Sequence, residues 1–366
     1  MLDAAPTQQA ANWLRSLSVA VDAGEPDTAA ALFLEQCYWR DLLSFTWNIK
    51  TMEGRTAVRE MLDATLKQTQ PGTWRLEGEA TNADGVVEAH FTFETQVAHG
   101  KGIVRLREGR CHTLFTMMTD LKGHEEKKGR TRALGVRHKA GPSRETWSEA
   151  RAREQAALGH TEEPYCLIIG GGQGGIALGA RLKQLGVPTL IVEKNARAGD
   201  SWRNRYRTLV LHDPVWYDHL PYIPFPEHWP VFTPKDKMGD WLEMYAKVME
   251  LNYWTSTICI GASYDEAEKR WTVELERADE RIVVKPRQLV FATGAYGPPR
   301  RIELAGADRF KGQVLHSSEY AGGTPFKGRK CAVIGAASSG HDVCVDLWES
   351  GAEVTTVVGE RWTMVT

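Results

Sequence analysis

Residues 165–193 read YCLIIGGGQGGIALGARLKQLGVPTLIVE, and this stretch decides the fold of the larger part of the chain. A short apolar run, Tyr165 to Ile169, is followed by closely spaced glycines and then by apolar residues at helical spacing as far as Gly186. A second apolar run, Thr189 to Val192, ends on Glu193. The pattern predicts a strand, a glycine-rich turn, a helix, a second strand and a terminal acid, the order typical of a dinucleotide-binding unit.

Each part of this unit has a physical role in nucleotide binding. Gly170 permits the tight turn, Gly172 lets the backbone approach a pyrophosphate, and Gly175 lets the helix pack close to the strand. The helix N-terminus offers free N–H groups to phosphate, and Glu193 is placed to accept hydrogen bonds from a ribose. The predicted site residues are Gly170, Gly172, Gln173, Gly174, Gly175, Glu193 and Lys194. The alternative, a purely structural strand–helix–strand unit, is disfavoured because every part of the pattern is present.

A second unit of the same kind occupies residues 330–358, KCAVIGAASSGHDVCVDLWESGAEVTTVV. Two such units predict two different nucleotides. Ala337 stands where the middle glycine is expected, and we expect its methyl group to loosen binding there. After the last strand, Arg361 could pair with the 2′-phosphate of NADPH, whereas Glu360 would suit the ribose of NADH. The predicted residues of this second site are Gly335, Ser338, Ser339, Gly340 and Arg361.

Composition narrows the class of protein. The chain has 366 residues, with 45 basic and 47 acidic side chains, and this balance favours no nucleic-acid or membrane-surface partner. We find neither a signal peptide nor an apolar run long enough to span a bilayer. The six cysteines are scattered without a CxxC pair or metal-ligand spacing, so we predict no metal site and a cytoplasmic location.

Residues 1–123 predict a separate α+β domain with two or three helices followed by an antiparallel sheet. This order, with YWRDLLSFTWNIKTMEG between helices and sheet, resembles the cone-shaped nuclear-transport-factor-like fold. The resemblance implies a conical pocket that Asp41, Glu88 and His90 could line, although ordinary structural roles for these side chains are favoured. Such a domain could also pair with a second copy to form a homodimer. The predicted boundaries are 1–123 for this domain, 124–163 for a charged linker, 164–327 for the first nucleotide domain and 328–366 for the start of the second.

Three further motifs resemble the flavin-containing monooxygenases, including the plant indole-pyruvate type. GDSWRNRY at 199–206 is similar to the family's segment along the flavin, and ATG at 292–294 to its crossing between domains. The stretch from Phe310 to Tyr320 fits FxGxxxHxxxY, with His316 as its histidine. The resemblance adds Ser201, Trp202, Thr293 and Gly294 to the cofactor-binding residues, and it implies structural bracing for His316 and Tyr320.

The resemblance implies an α/β fold: a Rossmann-type FAD-binding domain plus an incomplete NADP-binding Rossmann unit, preceded by the cone-shaped domain. It implies FAD, NADPH and dioxygen as reactants, and transfer of one oxygen atom through a flavin hydroperoxide to a small organic substrate. N-oxygenation, S-oxygenation and oxidative decarboxylation all remain open, and no catalytic side chain is assigned. Because family members continue beyond the equivalent of Thr366, we expect a C-terminally truncated chain. An uncoupled NADPH oxidase and a non-catalytic flavin- or ligand-binding protein are the alternatives.

Overall fold

The computed structural model describes residues 5–135, 145–294, 299, 301, 303 and 305–359. Contacts between residues divide the chain into two compact units, 1–132 and 133–366, so the division falls nine residues after the predicted boundary at 123. No helix within the described ranges is both long and apolar enough to cross a membrane.

The first unit is a six-stranded sheet covered on one face by helices. The helices are α1 (Pro6–Asp22), α2 (Pro26–Ala31) and α3 (Gly54–Thr69). The strands are β1 (Phe33–Leu42), β2 (Ile49–Glu53), β3 (Gly72–Ala83), β4 (Val86–Glu94), β5 (Ala98–Arg107) and β6 (Arg110–Leu121). Their order is β2-β1-β6-β5-β4-β3, with β1 and β6 parallel and the other neighbours antiparallel. The helices pack on the face that carries Trp39, Phe91 and Leu114.

Alternating apolar and polar residues predict one strand over 85–99, but the structure divides this segment by a turn. Thr95 N donates to Ala98 O at 2.8 Å and Thr95 Oγ1 accepts from Ala98 N at 3.0 Å, so the chain reverses between β4 and β5. Behind this turn, a Cβ atom on Gly102 would lie 2.1 Å from the ring of Phe91. The glycine in β5 therefore makes room for a core aromatic side chain of the neighbouring strand.

Asp41, Glu88 and His90 have the ordinary structural roles that the sequence favoured. Asp41 is fully buried, and its carboxylate accepts hydrogen bonds from Phe45 N, from the backbone and hydroxyl of Thr46, and from the Thr116 hydroxyl, at 2.8–3.0 Å. Glu88 forms an ion pair with Arg105 on the adjacent strand, and His90 is exposed. Three of these four bonds stabilise the loop after β1, and the fourth connects Asp41 to β6.

The second unit contains a four-stranded parallel sheet, a three-stranded antiparallel sheet and a two-stranded parallel pair. Its helices are α4 (Trp147–Ala157), α5 (Gln173–Gln184), α6 (Asp200–Arg203), α7 (Lys235–Val248) and α8 (Ser338–Glu349). Its strands are β7 (Cys166–Ile169), β8 (Thr189–Val192), β9 (Tyr253–Trp254), β10 (Thr257–Asp265), β11 (Arg270–Arg277), β12 (Glu280–Val284), β13 (Gln288–Phe291), β14 (Lys330–Ile334) and β15 (Glu353–Val357). The sheets run β13-β7-β8-β9, β10-β11-β12 and β14-β15.

These elements follow the sequence prediction closely, with two differences. The sequence predicts a buried strand at 288–292, but β13 is only half-buried and Phe291 is 64% exposed, since β13 lies at the edge of its sheet. The sequence also leaves 194–234 without regular structure, whereas α6 forms a single helical turn there.

Helix α4 is packed against the second unit, although it falls within the predicted linker 124–163. Arg151 donates to Asn252 Oδ1 at 2.6 Å and to Leu251 O at 2.7 Å. Glu154 accepts from Lys183 Nζ at 2.9 Å and from Asn252 Nδ2 at 3.0 Å. Residues 145–163 are therefore a structural part of the second unit.

Candidate functional site

The turn between β7 and α5 is built so tightly that only glycine fits at two positions. Gly170 has φ +106°, and a Cβ atom on it would lie 2.3 Å from Ala292 O, at the end of β13. A Cβ atom on Gly175 would lie 2.0 Å from Gly170 O. The helix therefore starts directly against the carboxyl end of β7, with its unpaired N–H groups at this edge of the sheet.

The space beside the same turn is open at Gly172 and Gly174. A Cβ atom on Gly172 would meet only Ser201 Oγ, at 3.9 Å, and one on Gly174 would meet nothing within 4 Å. Gly172 also has φ −74°, a value that any residue can adopt. The lack of a side chain here therefore keeps the helix N-terminus accessible, and this cradle fits the pyrophosphate of a dinucleotide.

Glu193 lies at the end of β8 and is 7% exposed. Its Oε2 accepts from Gly171 N at 2.8 Å, and its Oε1 accepts from the backbone and side chain of Asn195 at 2.9 and 2.7 Å. These bonds fix the carboxylate against the glycine turn. Lys194, the next residue, is exposed.

Two residues that hold Glu193 and the turn in place were not predicted from the sequence. Asn195 orients Glu193, and its position directly after the predicted strand end was the available signal. Tyr253 donates to Gly171 O at 2.7 Å, and burial together with the nearby Glu193 carboxylate raises the pKa of its hydroxyl well above the ordinary value. The hydroxyl is therefore protonated, and it holds the turn from β9, an edge strand of the same sheet. No local sequence pattern predicts this contact.

The segment 199–206 lies beside the first turn. Trp202 Nε1 donates to Gln173 Oε1 at 3.2 Å, at the first residue of α5. The segment is anchored by Arg203, which contacts Asp200 at 2.9 Å and, on α7, Asp240 at 2.8 Å and Glu243 at 2.6 Å. Ser201 and Trp202 are thus placed next to the glycines, as the resemblance implied.

Thr293 and Gly294 reach the same edge from β13. Thr293 N lies 3.1 Å from the position of a Cβ atom on Gly170, and Gly294 has φ +92°. The predicted residues from 170 to 294 are therefore brought together at the carboxyl ends of the parallel strands, where ligands bind in such sheets.

The turn between β14 and α8 repeats this construction. Gly335 has φ +110°, and a Cβ atom on Gly340 would lie 2.5 Å from Gly335 O. Ala337 has φ −77° and ψ 170°, close to the −74° and −171° of Gly172, and its side chain is exposed. The backbone of the turn thus tolerates alanine. Ser338 and Ser339 begin α8, while Arg361 lies outside the described residues.

Tyr206 connects the segment 199–206 to the helix that follows this second turn. Its hydroxyl donates to Asp342, the fifth residue of α8. Because Trp202 contacts the first residue of α5, one short segment contacts both helices that follow the glycine-rich turns.

The later motif holds the outer end of α8. Tyr320 is buried and donates to Asp346 Oδ2 at 2.6 Å, and Gly323 N donates to the same oxygen at 2.8 Å. His316 accepts from Ser318 N at 3.1 Å and caps a short 3-10 turn. Tyr320 therefore holds α8, whereas the hydrogen bonds of His316 stay within its own turn, and the bracing of a linking strand that the resemblance implied for both stays a prediction.

The aromatic residues of the loop before α7 partly form a core of their own. Phe225 and Trp229 stack at 4.6 Å between ring centroids, and Trp241 packs edge-on against them at 5.0 and 5.1 Å. Trp216 and Tyr217 are 57% and 76% exposed.

Within the described ranges, no group of three or more His, Cys, Asp or Glu side chains is placed to hold a metal ion.

Two parallel sheets, each with a glycine-rich turn that opens a helix, are connected by one segment. This arrangement is typical of a dinucleotide-binding oxidoreductase. Residues 167–364 match the family described as pyridine nucleotide-disulphide oxidoreductase, and this is more than half of the chain. The chain therefore belongs to that family.

The chain is also similar to curated monooxygenases. The chain is 35% identical to indole-3-pyruvate monooxygenase YUCCA1 of Oryza sativa subsp. japonica over 196 residues, 53% of this chain and 48% of the relative. It is 34% identical to the probable indole-3-pyruvate monooxygenase YUCCA9 of Arabidopsis thaliana, over 52% of this chain and 46% of that one. The chain spans about half the length of these curated relatives.

A solved structure agrees with this placement. The flavin-containing monooxygenase from Stenotrophomonas maltophilia is 25% identical, with a TM-score of 0.50 over 56% of this chain and 60% of that chain. The resemblance to flavin-containing monooxygenases, first stated from the motifs, is confirmed, as is the α/β class with Rossmann-like sheets.

Proposed function

We propose that this protein is an FAD- and NADPH-dependent monooxygenase that transfers one oxygen atom from dioxygen to a small organic substrate. The observation that carries the proposal is the segment 199–206, which contacts α5 through Trp202 and α8 through Tyr206, the two helices that follow the glycine-rich turns. Two nucleotides bound at these turns would face each other across this segment. The cytoplasmic location stays a prediction from the sequence.

The first turn would hold FAD. Gly170, Gly172, Gly174 and Gly175 leave the helix N-terminus open to the pyrophosphate, and Glu193 is held in place for the ribose. Ser201, Trp202, Thr293 and Gly294 would flank the flavin. When bound, the flavin accepts hydride from NADPH and activates dioxygen; the protein positions the reactants and excludes water.

The second turn would hold NADPH through Gly335, Gly340 and the N-terminus of α8. Ser338 and Ser339 are placed to donate to phosphate, and Arg361 remains a proposed partner of the 2′-phosphate. NADPH is preferred to NADH on the strength of the family relationship.

The relatives support a small organic substrate. Two of them are described as indole-3-pyruvate monooxygenase and probable indole-3-pyruvate monooxygenase. We propose a small organic acceptor for this chain, oxidised at nitrogen, at sulfur or by oxidative decarboxylation.

The deciding experiment is anaerobic addition of NADPH to the purified protein, followed by turnover under ¹⁸O₂. We expect a flavin absorption band that bleaches on NADPH addition, and incorporation of one labelled oxygen atom into a product. Bleaching followed only by hydrogen peroxide would replace this function by an NADPH oxidase. A flavin band that does not bleach would leave a flavin-binding protein.

The non-catalytic alternative is favoured by one observation, the exposed methyl group of Ala337 at the second turn. If that methyl group limits approach of the pyrophosphate, Ala337→Gly should tighten NADPH binding several-fold, measured by the NADPH concentration at half-maximal flavin reduction. An unchanged half-saturation value would remove this reason for the alternative.

We also propose that the first unit forms a homodimer through the face of its sheet opposite the helices. Phe115 lies at the centre of this face, paired in register with Arg40 on β1 and Ile103 on β5. Tyr38 and Ile49 on the same face are 44% and 60% exposed. Apolar side chains interspersed with polar ones on one sheet face suit an isologous contact between two copies.

The homodimer is tested by the molar mass in solution. Phe115→Glu should convert a dimer into a monomer in light scattering, whereas Val19→Glu, at a 65% exposed position on α1, should leave the mass unchanged. A wild-type protein that is monomeric at all concentrations would contradict this part of the proposal.

A further inference from the structure

A buried tyrosine and a carboxylate form an unusual contact at the start of α8. Tyr206 is 6% exposed and donates its hydroxyl proton to Asp342 Oδ2, while His212 Nε2 lies 2.9 Å from the same oxygen and 3.2 Å from Oδ1. Burial, with the Asp342 bond and charge, raises the pKa of Tyr206 well above its ordinary value. The tyrosine is therefore a permanent donor, and Asp342 is bound from two sides.

The position of this cluster is its important feature. Asp342 belongs to the first turns of α8, and side chains of a helix lean toward its N-terminus. A free carboxylate there would compete with a phosphate for the same N–H groups. Because Tyr206 and His212 bind Asp342, those groups stay available to a nucleotide.

The segment that carries Tyr206 is itself held in place. Four residues before Tyr206, Trp202 donates to the first residue of α5, and between them Arg203 is held by three carboxylates. The ring of Tyr206 packs with Leu209, Val343 and Leu347. A displacement of α8 relative to α5 would break either the hydroxyl contact or this packing.

We propose that Tyr206 and Asp342, supported by His212, are positioning residues that fix the second glycine-rich turn relative to the first and so set the alignment of NADPH with the flavin. This inference rests on the proposed function, since it assumes one nucleotide at each turn. The three side chains act through α8 and segment 199–206, not on the reacting atoms.

The test compares two tyrosines that bind the same helix. Tyr206→Phe removes the contact at the start of α8, and Tyr320→Phe removes the equivalent buried contact to Asp346 one turn further on. We expect Tyr206→Phe to keep its FAD but to lower the rate of flavin reduction at saturating NADPH by about 10- to 100-fold, as misalignment of reacting groups does. In Tyr320→Phe, NADPH should reduce the flavin at a rate within about twofold of wild type, because this variant keeps the contact between Tyr206 and Asp342.

A second measurement needs no turnover. Amide hydrogen exchange of residues 338–342 without NADPH should become faster in Tyr206→Phe and not in Tyr320→Phe, while exchange at 173–176 stays unchanged. Asp342→Asn keeps an oxygen acceptor. It should therefore keep most of the flavin reduction rate and of the amide protection that Asp342→Ala loses. His212→Gln tests the support of Asp342 at a half-exposed position, where a substitution does not put the fold at risk.

The outcomes separate the inference from the function on which it rests. Equal slowing of reduction in both tyrosine variants, or unchanged exchange in Tyr206→Phe, would overturn the positioning role. If wild-type flavin is not reduced by NADPH at all, the proposed function fails, and the exchange data still decide whether Tyr206 holds the turn.

Discussion

Gly175→Ala is the substitution that tests the construction of the first site most directly. A Cβ atom at residue 175 would lie 2.0 Å from Gly170 O, whereas Cβ contacts below 3.0 Å are essentially never seen. Helix α5 would therefore have to move at least 1.0 Å away from β7. Neither partner can rotate away, because the obstacle is a backbone carbonyl.

The size of the effect follows from two opposing contributions. Forcing extra volume into a packed contact costs about 3 kcal/mol at the upper end of its usual range. Replacing glycine by alanine in a helix returns about 1 kcal/mol. The net loss of about 2 kcal/mol corresponds to a fall in Tm of about 4–8 °C for a unit of this size.

Gly179→Ala is the matched control, one turn further along the same helix. A Cβ atom there would lie 2.6 Å from Ile191 Cδ1, the far end of a flexible side chain that can rotate. Here the packing cost and the gain in helix propensity should nearly cancel, at about 1 kcal/mol each.

The assay is thermal unfolding followed by circular dichroism, with FAD content measured by absorbance. We expect Gly175→Ala to lose both Tm and bound FAD, and Gly179→Ala to keep both. Equal damage in the two variants, or wild-type behaviour of Gly175→Ala, would refute the argument that close contact between α5 and β7 places the helix N-terminus.

Two further predictions concern other parts of the chain. Asp41→Ala should destabilise the first unit by about 3 kcal/mol or more, because it leaves several buried donors without an acceptor, and the urea midpoint of unfolding measures this loss. Burial raises the pKa of Glu154, but hydrogen bonds and charges from Asn252, Lys183 and Arg151 outweigh it and hold the pKa below its ordinary 4.5. The contribution of Glu154 to the docking of α4 should therefore be complete above pH 4.5 and be lost as the pH falls below that value. Amide exchange of residues 147–157 at pH 6 and pH 4 checks this, and Lys183→Met should weaken the pH dependence.

The sequence predicted the local elements of the site correctly. Gly170 and Gly175, the apolar runs of β7 and β8 and the helical spacing of α5 all concern residues near one another in the chain. Backbone torsion and side-chain periodicity are local properties, so they can be read without knowing where the chain goes next. The same reasoning placed β14, α8 and β15.

Only the tertiary structure decided what these elements contact. The Tyr206–Asp342 bond joins residues 136 positions apart, and Tyr253 reaches Gly171 across the sheet. Helix α4 carries the composition of a linker, yet Arg151 and Glu154 dock it on the second unit. Such contacts depend on the distance and direction between side chains far apart in sequence, which no local pattern encodes. The sequence alone thus determined the two nucleotide-binding turns, and the packing of the chain determined how segment 199–206 connects them.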